Sequence, residues 1–239
     1  MNKSILLLLS IFFLLSAQAQ EAEKFKSEEL GMSIGAAIPT GDFASERSSG
    51  GMASTAYLVQ LNFNHRFTDL FGITAIARHQ SHKVDPDLLK RAVVTKHHTS
   101  VMASTTDWKI NSYLLGAFVS LPFGPESNFY MNFEALAGLS TSSSPALAIT
   151  AVSDGYNVSS TQSSGDAKAF TFMAGAGLKY YFSEEMALSF AGDFIASEYK
   201  FEDIRVSSKN SSNQYESSQH TVRQEICSFN LHLGILFLF

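Results

Sequence analysis

Six residues of this 239-residue chain carry charge or a titratable ring at positions that alternation turns away from an apolar face: Arg66, Arg78, Glu134, Lys179, Asp193 and His232. Guanidinium, ammonium and carboxylate groups held in a dry interior must find partners, because an unpaired buried charge is expensive. Counted from the nearest short connectors, Arg78, Glu134 and Asp193 fall at similar depth, with His232 close in height. They are expected to pair across an enclosed space, either as a plug that replaces a hydrophobic core or as a gate on a narrow conduit.

A second constellation is "RHQSH" at residues 78–82. His79 and Ser81 share a face at i, i+2, the spacing of a base and a nucleophile. A serine nucleophile also needs an acid to orient its base, and no orienting carboxylate is identifiable from the sequence. A polar rim is the expectation, and no enzyme activity is expected. His97 and His98, even joined by His82, make a poor metal site, since adjacent side chains of an extended segment point apart and no Cys or acidic cluster joins them. Asp85-Pro86-Asp87 reads as a turn and lacks the spaced ligands of a calcium loop. No CxxC, HExxH, Walker or GxGxxG motif occurs, so no metal or cofactor is expected. The formal charge of −5 gives no basic footprint for nucleic acid.

The elements that must position these residues are strands. Apolar residues recur with period two through most of the chain. Leu30, Met32, Ile34, Ala36 and Ile38 oppose Gly31, Ser33, Gly35 and Ala37. Tyr57, Val59, Leu61 and Phe63 oppose Gln60, Asn62, Asn64 and Arg66; Phe71, Ile73, Ala75 and Ala77 oppose Gly72, Thr74, Ile76 and Arg78. The segment 108–121 is a strand whose faces alternation does not assign. Phe129, Met131, Phe133, Ala135, Ala137 and Leu139 oppose Tyr130, Asn132, Glu134 and Gly138. Phe170 to Tyr180 in steps of two oppose Thr171, Gly175, Gly177 and Lys179; Leu188, Phe190 and Phe194 oppose Ser189 and Asp193. The last run sets Phe229, Leu231, Leu233, Ile235, Phe237 and Phe239 against Ser228, Asn230, His232 and Gly234. The Phe-rich faces hold almost no charge, and a soluble ligand-binding barrel would show the reverse.

About eight strands result, each long enough for the roughly 9–11 residues that a tilted strand needs to cross a bilayer. Connectors alternate between long (39–53, 84–106, 141–166, 201–222) and short (68–70, 122–127, 183–186). That rhythm is an up-and-down meander with its long loops on one side. The expected fold is all-β, a closed antiparallel up-and-down transmembrane β-barrel of about eight strands. Its interior would be just wide enough for side chains, which favours a plug over a gate. Residues 1–19 read as a signal peptide, with Lys3, an apolar run at 5–15 and the Ala17-Gln18-Ala19 cleavage signal; residues 20–239 form the barrel domain. The single Cys227 allows no internal disulfide.

Three features together resemble the small outer-membrane β-barrel proteins of Gram-negative bacteria, of the OmpW, OmpX and OmpA-barrel type. These are the signal peptide, the first strand running into "AAIPTGDF" at residues 36–43, and a last strand ending on Phe239. The resemblance implies location in the cell outer membrane, with lipid and lipopolysaccharide as surroundings. It implies that the Phe239 strand is the assembly signal, read by the barrel assembly machinery after periplasmic chaperones escort the chain. The expected function is a non-enzymatic membrane barrel: a narrow pore or a carrier for small, including hydrophobic, solutes. The alternative is a structural or adhesin-like barrel acting through its long extracellular loops. The apolar stretch 145–152 in the third long connector extends a strand on one reading and lids the mouth on another.

Overall fold

A computed structural model describes residues 26–45, 50–85, 100–124, 128–153, 156–209 and 214–239. The signal segment 1–19, His97, His98 and Asp87 lie outside the described residues. Eleven strands are present among them: β1 (Glu28–Thr40), β2 (Ala56–Arg66), β3 (Phe71–His82), β4 (Ser100–Thr105), β5 (Trp108–Pro122), β6 (Phe129–Ser143), β7 (Leu147–Ser153), β8 (Tyr156–Gln162), β9 (Asp166–Tyr181), β10 (Met186–Lys209) and β11 (Tyr215–Leu238). Eight of them close a ring in the order β11-β1-β2-β3-β5-β6-β9-β10, and β10 pairs back onto β11. Every pairing is antiparallel. This is the closed up-and-down barrel that alternation predicts. The count of eight describes the ring and misses β4, β7 and β8.

Closure rests on the two ends of the chain. β1 pairs β11 from Glu29↔Leu238 to Thr40↔Cys227, and Phe239 exchanges backbone hydrogen bonds with Glu28 (3.0 and 3.3 Å). The register also sets the girth. From Ile34 one walk runs through Val59, His79, Asn111 and Thr141 to Lys168 on β9; the opposite walk runs through Leu233 and Phe190 to Leu178 on the same strand. The two arrivals lie ten residues apart, so the strands tilt steeply and the eight-stranded interior is filled by side chains.

Outward faces are apolar through the middle of the wall: Ile34, Leu61, Phe63, Leu115, Phe133, Phe172, Phe190, Leu233 and Phe237 are all exposed. Inward positions carry most of the buried polar groups, among them Glu29, Gln60, Arg66, Arg78, Lys179, Asp193 and Asn230. A soluble protein buries its Phe and Leu; this wall presents them to its surroundings, so its solvent is hydrocarbon. The faces of β5 are now assigned. Lys109, Tyr113, Leu115 and Val119 point out, while Trp108, Ile110, Ser112, Leu114 and Phe118 point in. Both faces are apolar near the middle, which is why alternation failed there.

The interior departs from the sequence expectation of ionic and hydroxyl groups alone. Ile76, Leu114, Leu136, Met173 and Ile195 form an apolar cluster on one inner wall. Inward glycines create room for bulk elsewhere. A Cβ at Gly72 would lie 2.8 Å from the Phe118 ring, and one at Gly35 would lie 2.6 Å from the His232 Cβ.

Above the apolar zone, at the long-loop end, the sheet continues. The segment 201–222, expected as a loop, is largely strand. β10 and β11 run as a paired ribbon to Lys209↔Tyr215. β9 releases β10 after Thr171↔Ser197, and β8 pairs β10 from Val206↔Gln162. Between these points the β10–β11 register shifts, with Asp203 at φ 58°, a bulge that re-aims the ribbon. β7 pairs β8 and β4 pairs β7, so a sheet β11-β10-β8-β7-β4 stands above the barrel. The apolar stretch 145–152 belongs mainly to β7, a strand of this sheet. Residues 215–226 of β11 have a strand partner on one side only among the described residues, because β1 pairing ends at Cys227.

If the wall faces hydrocarbon, charge on it is costly at mid-height. We expect Leu233→Arg to lower stability by about 2–4 kcal/mol in reversible denaturant titration from lipid vesicles. Thr221→Arg, on the same face of β11 and above the apolar zone, should change it by under about 0.5 kcal/mol. Equal effects would contradict the lipid-facing assignment.

Candidate functional site

The lumen holds two ionic clusters. At the short-turn end Glu29 on β1 is wholly buried and shared between two cations. Arg66 on β2 donates to its Oε1 from Nε and Nη2 (2.9 and 2.7 Å), and Lys179 on β9 donates to its Oε2 (2.5 Å). Asn64 Nδ2 donates to the same Oε2 (2.8 Å) and Tyr181 Oη to Oε1 (3.0 Å). Phe118 covers the pair, with Arg66 Cζ 5.7 Å and Lys179 Nζ 5.3 Å from its ring centroid, close enough for cation–π attraction.

The second cluster crosses the lumen. Arg78 on β3 grips Asp193 on β10 through two parallel hydrogen bonds (2.7 and 2.6 Å), and its Nε and Nη2 donate to Gln60 Oε1. Asn230 Nδ2 donates to Asp193 Oδ1 (2.7 Å), while Asn230 Oδ1 accepts from Gln80 Nε2 and Ser228 Oγ. Fork-on-fork pairing of this kind fixes orientation as well as charge.

The predicted charge network is therefore assembled differently from its sequence version. Arg78 and Asp193 meet. Glu134 does not join them: it forms no ion pair among the described residues and lines a cavity of about 50 Å³ with Gln60, Asn132, Lys179 and His232. Equal depth put it near Asp193 in height, but it lies on β6, two strands from β10 around the ring. His232 Nε2 lies 3.3 Å from Asp193 Oδ2, within ion-pair distance, yet both ring nitrogens lack hydrogen-bond partners. Arg66 and Lys179 meet at Glu29, which the sequence reading passed over. Its signal was available, since Glu29 shares the parity of Gly31 and Ser33. With Glu29, the lumen holds three acidic side chains (Glu29, Glu134, Asp193) and three basic ones (Arg66, Arg78, Lys179), of which only Glu134 is outside the ion pairs.

Above the ionic clusters, Ser112, Ser140 and Thr171 form a hydroxyl row (2.8 and 2.7 Å). The long-loop mouth is then closed by apolar packing. The turn Gly41–Phe43 tucks Phe43 inside, edge-on to His82 (4.8 Å) and Trp108 (5.6 Å), in one apolar cluster with Tyr199, Phe201 and Ile204. The His82 imidazole is hydrogen-bonded through Nδ1 to the Ser54 carbonyl (2.9 Å). Beside this packing lies a pocket of about 230 Å³ lined by Met52, Val84, Trp108, Leu147, Phe201 and Ile204.

The His79/Ser81 pair sits on the outside of the barrel. His79 Nδ1 is engaged by Asn111 Oδ1 (2.8 Å), and Ser81 Oγ donates to Asp107 Oδ2 (3.4 Å). The acid contacts the serine and not the imidazole, the wrong order for a nucleophile–base–orienter relay. No group of three or more His, Cys, Asp or Glu able to hold a metal occurs among the described residues. Phe239 is exposed at the short-turn rim.

No family model matches this sequence, and no curated protein does. Solved structures do. The chain is similar to a major outer membrane protein of Thermus thermophilus, at 12% identity over 89% of this chain and 100% of that one (TM-score 0.48). It is similar to the Neisserial surface protein A, at 12% identity over 89% and 96% (TM-score 0.42). It is similar to the outer membrane protein OprG of Pseudomonas aeruginosa, at 13% identity over 89% and 97% (TM-score 0.44). At this level of likeness no residue role is carried over.

Removing one partner of a buried ion pair leaves the other uncompensated. Glu29→Ala should cost about 3–5 kcal/mol in denaturant titration from lipid vesicles. Glu134→Gln, which removes an unpaired carboxylate, should cost under about 1 kcal/mol. Equal losses would mean that the lumen is organised around Glu134 as well.

Proposed function

We propose that the chain is an integral β-barrel of a Gram-negative outer membrane that acts as a closed, non-enzymatic anchor and presents its upper sheet to partners outside the cell. The observation that carries this reading is the cross-section of the lumen. Arg78–Asp193 spans it, Glu29–Arg66–Lys179 fills its short-turn end, and Phe43 and its neighbours fill the other. Opening a path would separate buried charges, which costs several kcal/mol per ion. An interior so filled supports an anchor better than a pore. The ribbon of β10 and β11 adds what an anchor needs to display: a polar sheet whose β11 edge has no second strand partner among the described residues, a surface onto which an extended peptide segment can add a strand.

Small apolar solutes are the second reading, favoured by the pocket beside Trp108. Its volume exceeds the roughly 150 Å³ that suffices for benzene in an engineered apolar cavity.

Two measurements test these readings. The protein reconstituted in planar bilayers should show no steady conductance steps; regular steps would overturn the closed anchor. Cells displaying a variant with residues 202–221 replaced by an Asn-Gly turn should lose surface adhesion while the barrel keeps its heat-modifiable gel shift. Unchanged adhesion would overturn the display role. For the pocket, Trp108 is the only tryptophan, so its emission reports occupancy. Bromobenzene should quench it saturably, and Val84→Phe should abolish the saturable phase. Quenching that never saturates, or survives Val84→Phe, would remove the solute reading.

A further inference from the structure

The upper rim of the barrel is electrostatically lopsided. On the β10–β11 side the outward positions just above the apolar zone are Glu198, Lys200, Glu202, Arg223 and Glu225. The cations there are engaged: Lys200 with Glu202 (2.6 Å) and Arg223 with Glu198 (3.9 Å). On the β3-β5-β6-β9 side stand Lys83, Lys109 and Lys168, all exposed and without an ion-pair partner among the described residues.

The register puts these three lysines at one level. Ala77↔Tyr113↔Leu139↔Phe170 is the last fully apolar row on this side, and His79↔Asn111↔Thr141↔Lys168 is the row above it. The rows climb around the tilted barrel from β3 towards β9, as the ten-residue offset requires. Lys168 on β9 is therefore level with positions further up β5 and β3, which are Lys109 and Lys83. Beneath them the polar surface dips into the apolar zone. Tyr57, His79 and Asn111 form a notch there, with the Tyr57 and His79 rings 6.0 Å apart and His79 bonded to Asn111. Asp107 and Asp166 stand one outward position above Lys109 and Lys168, where each accepts a hydrogen bond from a serine hydroxyl, Ser81 and Ser143.

We propose that Lys83, Lys109 and Lys168, above the Tyr57–His79–Asn111 notch, bind the phosphate groups of a phosphorylated glycolipid in the outer leaflet, with its acyl chains lying on Tyr113, Leu115, Leu139 and Phe172. The inference rests on the membrane reading above. Continuity argues for this occupant. Unpaired cations end where the apolar wall begins, at the level where headgroup phosphate meets hydrocarbon, and ammonium groups there are attracted to a negatively charged membrane surface. The notch gives hydroxyl, imidazole and amide groups to the sugar, which a free anion would not need.

The full chain, reconstituted with phosphatidylcholine containing a minor fraction of bis-phosphorylated lipid A, would be extracted and its retained lipid weighed by native mass spectrometry. The wild type should retain the phosphorylated lipid, the dephosphorylated lipid should be retained at least tenfold less, and K83A/K109A/K168A should lose the preference. K83R/K109R/K168R should keep it, and K200A/R223A, on the opposite rim, should also keep it. Insertion without a lysine-dependent preference would overturn the site alone. Displacement by millimolar inorganic phosphate would assign the lysines to free anion and overturn the lipid occupant. A wild type that fails to insert, with no heat-modifiable shift, would overturn the membrane reading and this inference together.

Discussion

Backbone hydrogen bonding in a solvent that offers none is the constraint on which the rest depends. In hydrocarbon an open sheet edge leaves a row of unsatisfied N–H and C=O groups, each costing several kcal/mol. The last strand must therefore close on the first, and the β1–β11 ladder does so along almost the whole of β1. Closure at eight strands with a ten-residue offset makes the interior narrow. A narrow interior enclosed by apolar walls has to be filled, and its polar groups must satisfy one another. Glu29 between Arg66 and Lys179, and Asp193 held by Arg78, Asn230 and the nearby His232, are consequences of that closure.

The same constraint lapses where water returns. Above the apolar zone a strand edge can be left open, and among the described residues the upper part of β11 has a strand on one side only. β9 leaves β10 at Thr171↔Ser197, the Asp203 bulge turns the ribbon, and β8, β7 and β4 build outward. The molecule thus divides by solvent: a closed ring where there is lipid, and, among the described residues, a sheet that does not close where there is water. The lysines and glutamates of the rim mark the boundary between the two regimes.

Legibility followed the same division. The outward faces of β1, β2, β3, β6, β9 and β11 could be read directly, because alternation depends only on the two-residue repeat of an extended backbone. β5 could not, since Leu114 and Phe118 point inward and Leu115 and Val119 outward. The ribbon at 201–222 looked like a loop for a related reason. A strand with water on both faces, such as the run from Tyr215 to Arg223, has no apolar side to alternate with its polar one. Glu29 was missed because it sits one position before the first apolar residue of its strand, where the run appeared not to have begun.

What the sequence determined by itself was the inversion, with apolar side chains outward and charge inward, and the alternation of long and short connectors that makes a meander. Both are local properties, written in neighbouring residues. Which charges meet was decided only by the tertiary structure. Depth along a strand can be counted from a turn, but position around the ring depends on the shear, which no single strand encodes. Arg78 therefore reaches Asp193, while Glu134 at comparable depth faces a small cavity with Lys179 and His232.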